Sequence, residues 1–186
     1  MITSEILGYL RTIALLSIFP LLFFSCNSSV REAGPSGGSV SSSDSILAYN
    51  RQVVAAEQTE IEDFIARYHW TMSTSPTGLR YMIYKEGKGR KAVEGDRVEI
   101  RYRATLLNGN LVAQTDPGAP FIFELAKRRV ISGLEEGILL MKEGAHAKLI
   151  VPSHLAYGLL GDPSGVPAGA ALVYDVELCS VLPHHR

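Results

Sequence analysis

From Arg97 to Leu107 apolar and charged positions alternate. Val98, Ile100, Tyr102 and Ala104 fall on one side, and Arg97, Glu99, Arg101 and Arg103 on the other. A period of two marks a half-buried strand. Asn108-Gly109 follows as a tight-turn signal, and Leu111 to Thr115 returns as the partner strand. Leu79 to Lys85, Pro120 to Leu125 and Ala147 to Val151 read as further short strands. Ala171 to Val181 closes the pattern, with Leu172, Tyr174, Val176 and Leu178 set against Val173, Asp175 and Glu177. Between Ile131 and Met141 the rhythm changes to helical spacing at Leu134, Ile138 and Met141. Glu135 and Glu136 near its start complement the helix dipole, and Lys142-Glu143-Gly144 stops it. A Gly/Pro loop spans Gly158 to Gly169. Strands in succession with a single helix among them predict an α+β fold: an antiparallel sheet with one short helix laid on its face.

Upstream the spacing is helical again, at Ile46, Tyr49, Val53, Val54, Ile61, Phe64, Ile65 and Tyr68. Asp44 and Ser45 are capping residues. Glu57, Glu60, Glu62 and Asp63 fall on the other, polar face, and the stripe weakens from Ala55 to Glu60. The pattern predicts one helix or two short ones over Ser45 to Tyr68, within a helical connector over residues 45–76. Packing or spacing is its favoured role, and dimerisation or a partner groove the alternative. Ser73 to Gly78 breaks the pattern and places a domain boundary before residues 77–183.

Thr12 to Phe24 is a run of about thirteen mostly apolar residues. A relaxed membrane-spanning helix needs about 20, so the run fits the apolar stretch of a secretory signal. It ends at Ser25-Cys26. This resembles a bacterial lipoprotein signal over residues 1–25, with Cys26 lipidated. Residues 26–44, rich in Ser and Gly, then read as a flexible tether.

Of the 186 residues, 46% are hydrophobic and 20% charged, which suits one compact domain with tails. The formal net charge is −1 and no run of Lys or Arg occurs, so neither a nucleic-acid footprint nor a polybasic patch is present. The two cysteines, Cys26 and Cys179, exclude a disulfide framework, and no CxxC or His–Cys cluster suggests a metal. Cys179 lies in a strand pattern and reads as a buried, inert thiol. The five histidines lack HExxH or GxSxG context, which argues against a hydrolase, and His154 reads as solvated decoration.

Several motifs then coincide in order. They are Glu94 to Tyr102, Leu107-Asn108-Gly109, Pro120-Phe121-Ile122-Phe123, Val130-Ile131-Ser132-Gly133-Leu134-Glu135-Glu136-Gly137, Leu155-Ala156-Tyr157-Gly158 and Leu172 to Leu178. Together they resemble the FKBP-type peptidyl-prolyl cis–trans isomerase family, in the form of a bacterial envelope lipoprotein. The resemblance implies an FKBP-like antiparallel β-sheet wrapped around one short α-helix. It also implies a proline-gripping pocket that uses no cofactor. The residues it assigns there are Tyr102, Phe121, Val130, Ile131, Leu134, Tyr157 and Tyr174, with Val112 and Ala113 at the rim. Ile131 would offer its backbone N–H, Tyr157 its hydroxyl, and Leu134 the floor, while Phe123 is expected in the core. Three departures stand out. Val112-Ala113 replaces the family's Phe-Asp pair, no Arg partner lies in Asp116 to Ala119, and Leu134 replaces the family's Trp. The pocket is therefore expected to be less aromatic and less polar at its edge. The implied partners are proline-containing unfolded or nascent envelope polypeptides, and the membrane through a lipid at Cys26. A catalytically weak or inactive FKBP-fold chaperone or assembly lipoprotein is the competing expectation.

Overall fold

A computed structural model describes residues 42–163 and 165–183. The leader, Cys26 and the tether up to residue 41 lie outside the described residues. Helix α1, Ser42–Arg67, is continuous and begins before the capping pair Asp44 and Ser45. Residues 42–44, expected in the tether, are therefore helical. The Ala and Gln content of residues 55–60 favours helix intrinsically, so the gap in the apolar stripe does not break it. Its end is a Schellman motif. His69 takes φ 53°, its N–H bonds the Ala66 carbonyl at 3.1 Å, and the Trp70 N–H bonds that of Ile65 at 3.1 Å.

Seven strands follow. They are β1 (Ser73–Thr74), β2 (Arg80–Lys85), β3 (Arg97–Leu106), β4 (Leu111–Gln114), β5 (Phe121–Glu124), β6 (His146–Val151) and β7 (Leu172–Leu182). They form one antiparallel sheet in the order β1-β2-β6-β7-β3-β4. Strand β5 also pairs with β3. Along the edge of β3 away from β7, β5 covers residues 97–100 and β4 covers 103–105. The short β1 was expected as chain-breaking loop.

The sheet buries a core on each face. On one lies helix α2, Ser132–Leu139, with Leu134 and Ile138 buried among Leu149, Val151, Leu172, Tyr174, Val176 and Leu178. Two glycines one turn apart let it sit close. A Cβ on Gly133 would come 2.3 Å from Val151 Cγ1, and one on Gly137 2.4 Å from Leu149 Cδ1. On the other face Ile61 and Phe64 of α1 pack against Ile150, Ala171 and Val173. This second core explains why Val173 is buried although its strand alternation grouped it with Asp175 and Glu177. Only the C-terminal half of α1 takes part, because Ile46, Tyr49 and Val54 remain exposed. Glu57 departs from the polar face expected of it: it stands four residues before Ile61 and seven before Phe64, on the side of the helix that packs against the sheet, and it is buried. Among the described residues no helix is long and apolar enough to cross a membrane.

Candidate functional site

Tyr102 stands where β3 changes partners. Its N–H donates to Thr115 Oγ1 at 3.1 Å, and its carbonyl accepts from the Thr115 N–H at 3.0 Å. Opposed Ile100 and Phe121 bring the Phe121 ring edge-on to Tyr102, with centroids 6.2 Å apart. Phe123 stacks on Phe121 at 5.4 Å and is itself buried, as expected of a core residue. On the other side of Tyr102 the ring of Tyr174 lies 5.7 Å away. Ala104 connects Tyr174 of β7 to Ala113 of β4 across one row of the ladder. Val112 and Ala113 are half-buried against the core.

The loop before α2 carries the second group. Arg128, Arg129, Val130, Ile131, Ser132, Glu135, Ala156 and Tyr157 line an open cleft of about 570 Å³. Ile131 is the N-cap of α2, with φ −62° and ψ 145°, and has no side chain to cap with. Its carbonyl accepts from the N–H groups of Leu134 and Glu135, while its own N–H bonds no other described residue. The Tyr157 ring is 38% exposed and its hydroxyl is likewise without a protein partner among the described residues. Burial raises the Tyr157 hydroxyl above the ordinary tyrosine range, with smaller contributions from Asp162 and Tyr102. Burial does the same for Tyr102, and for Tyr174, which also responds to Tyr157 and Tyr102. Three neutral hydroxyls therefore neighbour one another, and all remain donors at physiological pH.

The expected site residues thus form two connected sets. Tyr102, Phe121 and Tyr174 make a ring cluster, and Val130, Ile131 and Tyr157 line the cleft. Leu134 is buried beneath, 3% exposed, at the start of α2. Phe121 also lines a second concavity of about 1060 Å³ with Arg97, Ile122, Glu124, Lys127 and Leu182, which shares only Arg129 with the first. Arg128, Arg129, Ser132 and Glu135 were not anticipated. Glu135 Oε1 is buried without a hydrogen-bond partner among the described residues. The adjacent basic pair before Val130 is the only sequence sign of this rim. His154 is exposed, as expected, but its Nε2 is bound to the Thr77 carbonyl at 2.9 Å. Cys179 is half-buried rather than buried, and burial raises its thiol, followed by Glu177. Among the described residues no group of three or more His, Cys, Asp or Glu is placed to hold a metal ion.

Residues 88–179, from the loop after β2 into β7, match the sequence model described as FKBP-type peptidyl-prolyl cis-trans isomerase. The domain built on this sheet belongs to that family. The crystal structure of FkpA from Escherichia coli superposes with a TM-score of 0.62 at 33% identity, covering 76% of this chain and 66% of that one. A peptidyl-prolyl cis-trans isomerase from Pseudomonas syringae gives 0.62 at 28% identity, over 72% of this chain and 96% of that one. FK506-binding protein 4 of Rhizopus delemar is 42% identical over 106 residues, 57% of this chain and 28% of that protein. FkpA of E. coli K12 is 40% identical over 113 residues, 60% of this chain and 41% of that protein. The chain thus spans well under half the length of these two curated relatives. The FKBP fold expected from the motifs is the one observed, with α1 lying upstream of the family match.

Proposed function

We propose that this protein catalyses cis–trans isomerisation of X–Pro bonds in unfolded or nascent polypeptides, without a cofactor. The observation that carries the reading is the Ile131 N–H and the Tyr157 hydroxyl, two donors without protein partners among the described residues, at one cleft beside Val130 and the aliphatic side chain of Ile131. Amide rotation is slow because resonance gives the C–N bond double-bond character, with a barrier of about 18–20 kcal/mol. The planar amide is more polar than the twisted one, so apolar walls favour the twisted form relative to water. Donors to the flanking carbonyls hold the peptide while its C–N bond turns. Each ~1.4 kcal/mol removed from the barrier raises the rate about tenfold. Tyr102, Phe121 and Tyr174 supply aromatic wall, and Leu134 the floor. No proton is transferred, and the raised Tyr157 hydroxyl stays protonated.

A protease-free isomerisation assay on a short X–Pro peptide tests this. Tyr157→Phe should lower kcat/KM severalfold, since one neutral hydrogen bond is worth about 0.5–1.5 kcal/mol. Phe121→Ala should cost more, and the wild-type profile should be flat from about pH 6 to 9, below the tyrosine range. Activity indifferent to Phe121→Ala refutes the site. Absence of activity turns the reading to a non-catalytic chaperone of the same fold.

We place the protein in the cell envelope, held to a membrane by lipid on Cys26. The support is the short apolar run ending at Ser25-Cys26, followed by the Ser/Gly-rich segment. Cys26→Ser should release folded protein from membranes. Persistent, detergent-dependent membrane association of the variant would instead indicate an uncleaved apolar segment.

A further inference from the structure

Glu57 is a carboxylate buried to 6% exposure in the middle of a helix on which Glu60, Glu62 and Asp63 are exposed. Burying a carboxylate is costly unless its oxygens are hydrogen-bonded. Both oxygens of Glu57 serve one residue 96 positions away. Oε1 accepts from the Ser153 N–H, and Oε2 from Ser153 Oγ at 2.9 Å. Such charge-assisted bonds are stronger and more directional than neutral ones.

Ser153 opens the 3-10 turn Ser153–Leu155 that follows β6. Its carbonyl accepts from the N–H groups of Ala156 at 2.9 Å and Gly158 at 2.8 Å, the residues on either side of Tyr157. The next carbonyl but one, that of Leu155, accepts from Ser132 Oγ at 3.1 Å, and Ser132 follows Ile131. Every polar group of Ser153 is therefore committed. One side is tied to Glu57, and the other to the backbone that carries the Tyr157 hydroxyl. Docking of α1 does not itself depend on Glu57. Ile61 and Phe64 pack on the sheet, and Arg80 Nη2 reaches Gln58 Oε1 and Glu62 Oε1, each at 2.8 Å.

We propose that Glu57 is a positioning residue for the candidate site: through Ser153 it fixes the turn that presents Tyr157, with Ile131 secured to the same turn. Helix α1 then completes the site from outside residues 88–179, the segment that matches the family. The inference rests on the isomerase reading for its catalytic consequence, but not for its geometry.

The test uses the full chain and two readouts. Glu57→Leu should lower kcat/KM for an X–Pro peptide severalfold, up to the loss that Tyr157→Phe causes, since it acts by displacing that one hydroxyl donor. Glu57→Gln should retain most activity, because the amide oxygen still accepts from the Ser153 N–H and its NH₂ can donate to Ser153 Oγ. In a Tyr157→Phe background the Glu57→Leu loss should largely vanish, since contacting groups in one network are not additive. Ile61→Ala is the control: it weakens the packing of α1 without touching Ser153, and should lower Tm but leave kcat/KM alone. Independently, amide exchange at Ala156 and Gly158 should accelerate in Glu57→Leu and not in Ile61→Ala. Unchanged exchange at these two amides overturns the proposal. So does a Glu57→Leu loss that adds in full to that of Tyr157→Phe, or that Ile61→Ala reproduces in proportion to stability. A wild type without isomerase activity removes the catalytic reading alone, and the exchange measurement then decides the positioning.

Discussion

At position 113 the family resemblance leads to the expectation of an acidic side chain, and this domain carries alanine. Ala113 lies half-buried on β4, paired with Ala104, whose other neighbour in the ladder is Tyr174. A methyl group there offers the turning amide no charge, so the apolar walls and the two donors must supply the barrier lowering. Ala113→Asp should raise kcat/KM severalfold if a carboxylate in this relatively dry setting interacts with the twisting bond. A fall in both activity and Tm would show the carboxylate trapped without a partner. Residue chemistry was otherwise unevenly legible. Tyr157 and Ile131 sit in motifs that carry the family resemblance, which implied a shared pocket, and both line one cleft. Glu57 could not be found this way. Its charge groups it with Glu60 and Asp63, although it stands four residues before Ile61 and seven before Phe64 on the buried stripe, and the partner that lets a carboxylate sit there lies 96 residues away.

At the scale of elements, the periodicity located the strands other than β1 and the central helix to within a residue or two, because each buries one face against a core. It located α1 as well, but not the part of it that packs. Ile46, Tyr49 and Val54 share the apolar stripe with Ile61 and Phe64, yet only the latter two meet the sheet. Nothing in a helical repeat says where along its length a partner begins. The closest fit between elements is α2 against β6. Gly137→Ala should destabilise the fold by about 1–3 kcal/mol, the cost of overpacking, despite the better helix propensity of alanine. The added methyl meets Leu149, which is buried and has little room to give way. A thermal melt decides this, and an unchanged or higher Tm would contradict the packing argument.

Taken as a whole, the domain is a sheet with a core on either face, and the second core is made by a helix outside the family's boundaries. All seven strands but β1 and the helix α2 lie within residues 77–186, so that fragment should still unfold cooperatively. It should do so at lower temperature than a fragment beginning at residue 42, because Ile150, Ala171 and Val173 lose their cover from Ile61 and Phe64. Paired denaturation curves would measure the difference. Coincident curves would mean that α1 contributes no net stability.

The sheet order has a consequence for when this protein can fold. Strand β7 is the last of the seven in sequence and lies between β6 and β3, joining the β1-β2-β6 half to the β3-β4-β5 half. A ribosome delivers the chain from its N-terminus, so until residues 172–182 have emerged the two halves have no strand to bridge them. Helix α2 would meanwhile lack Leu172, Tyr174, Val176 and Leu178, a large part of what it packs against. The pairings of β3 and of β6 with β7 both wait on that single late strand. The nascent domain is thereby held open until residues 172–182 have emerged, and it closes as a unit when that strand arrives.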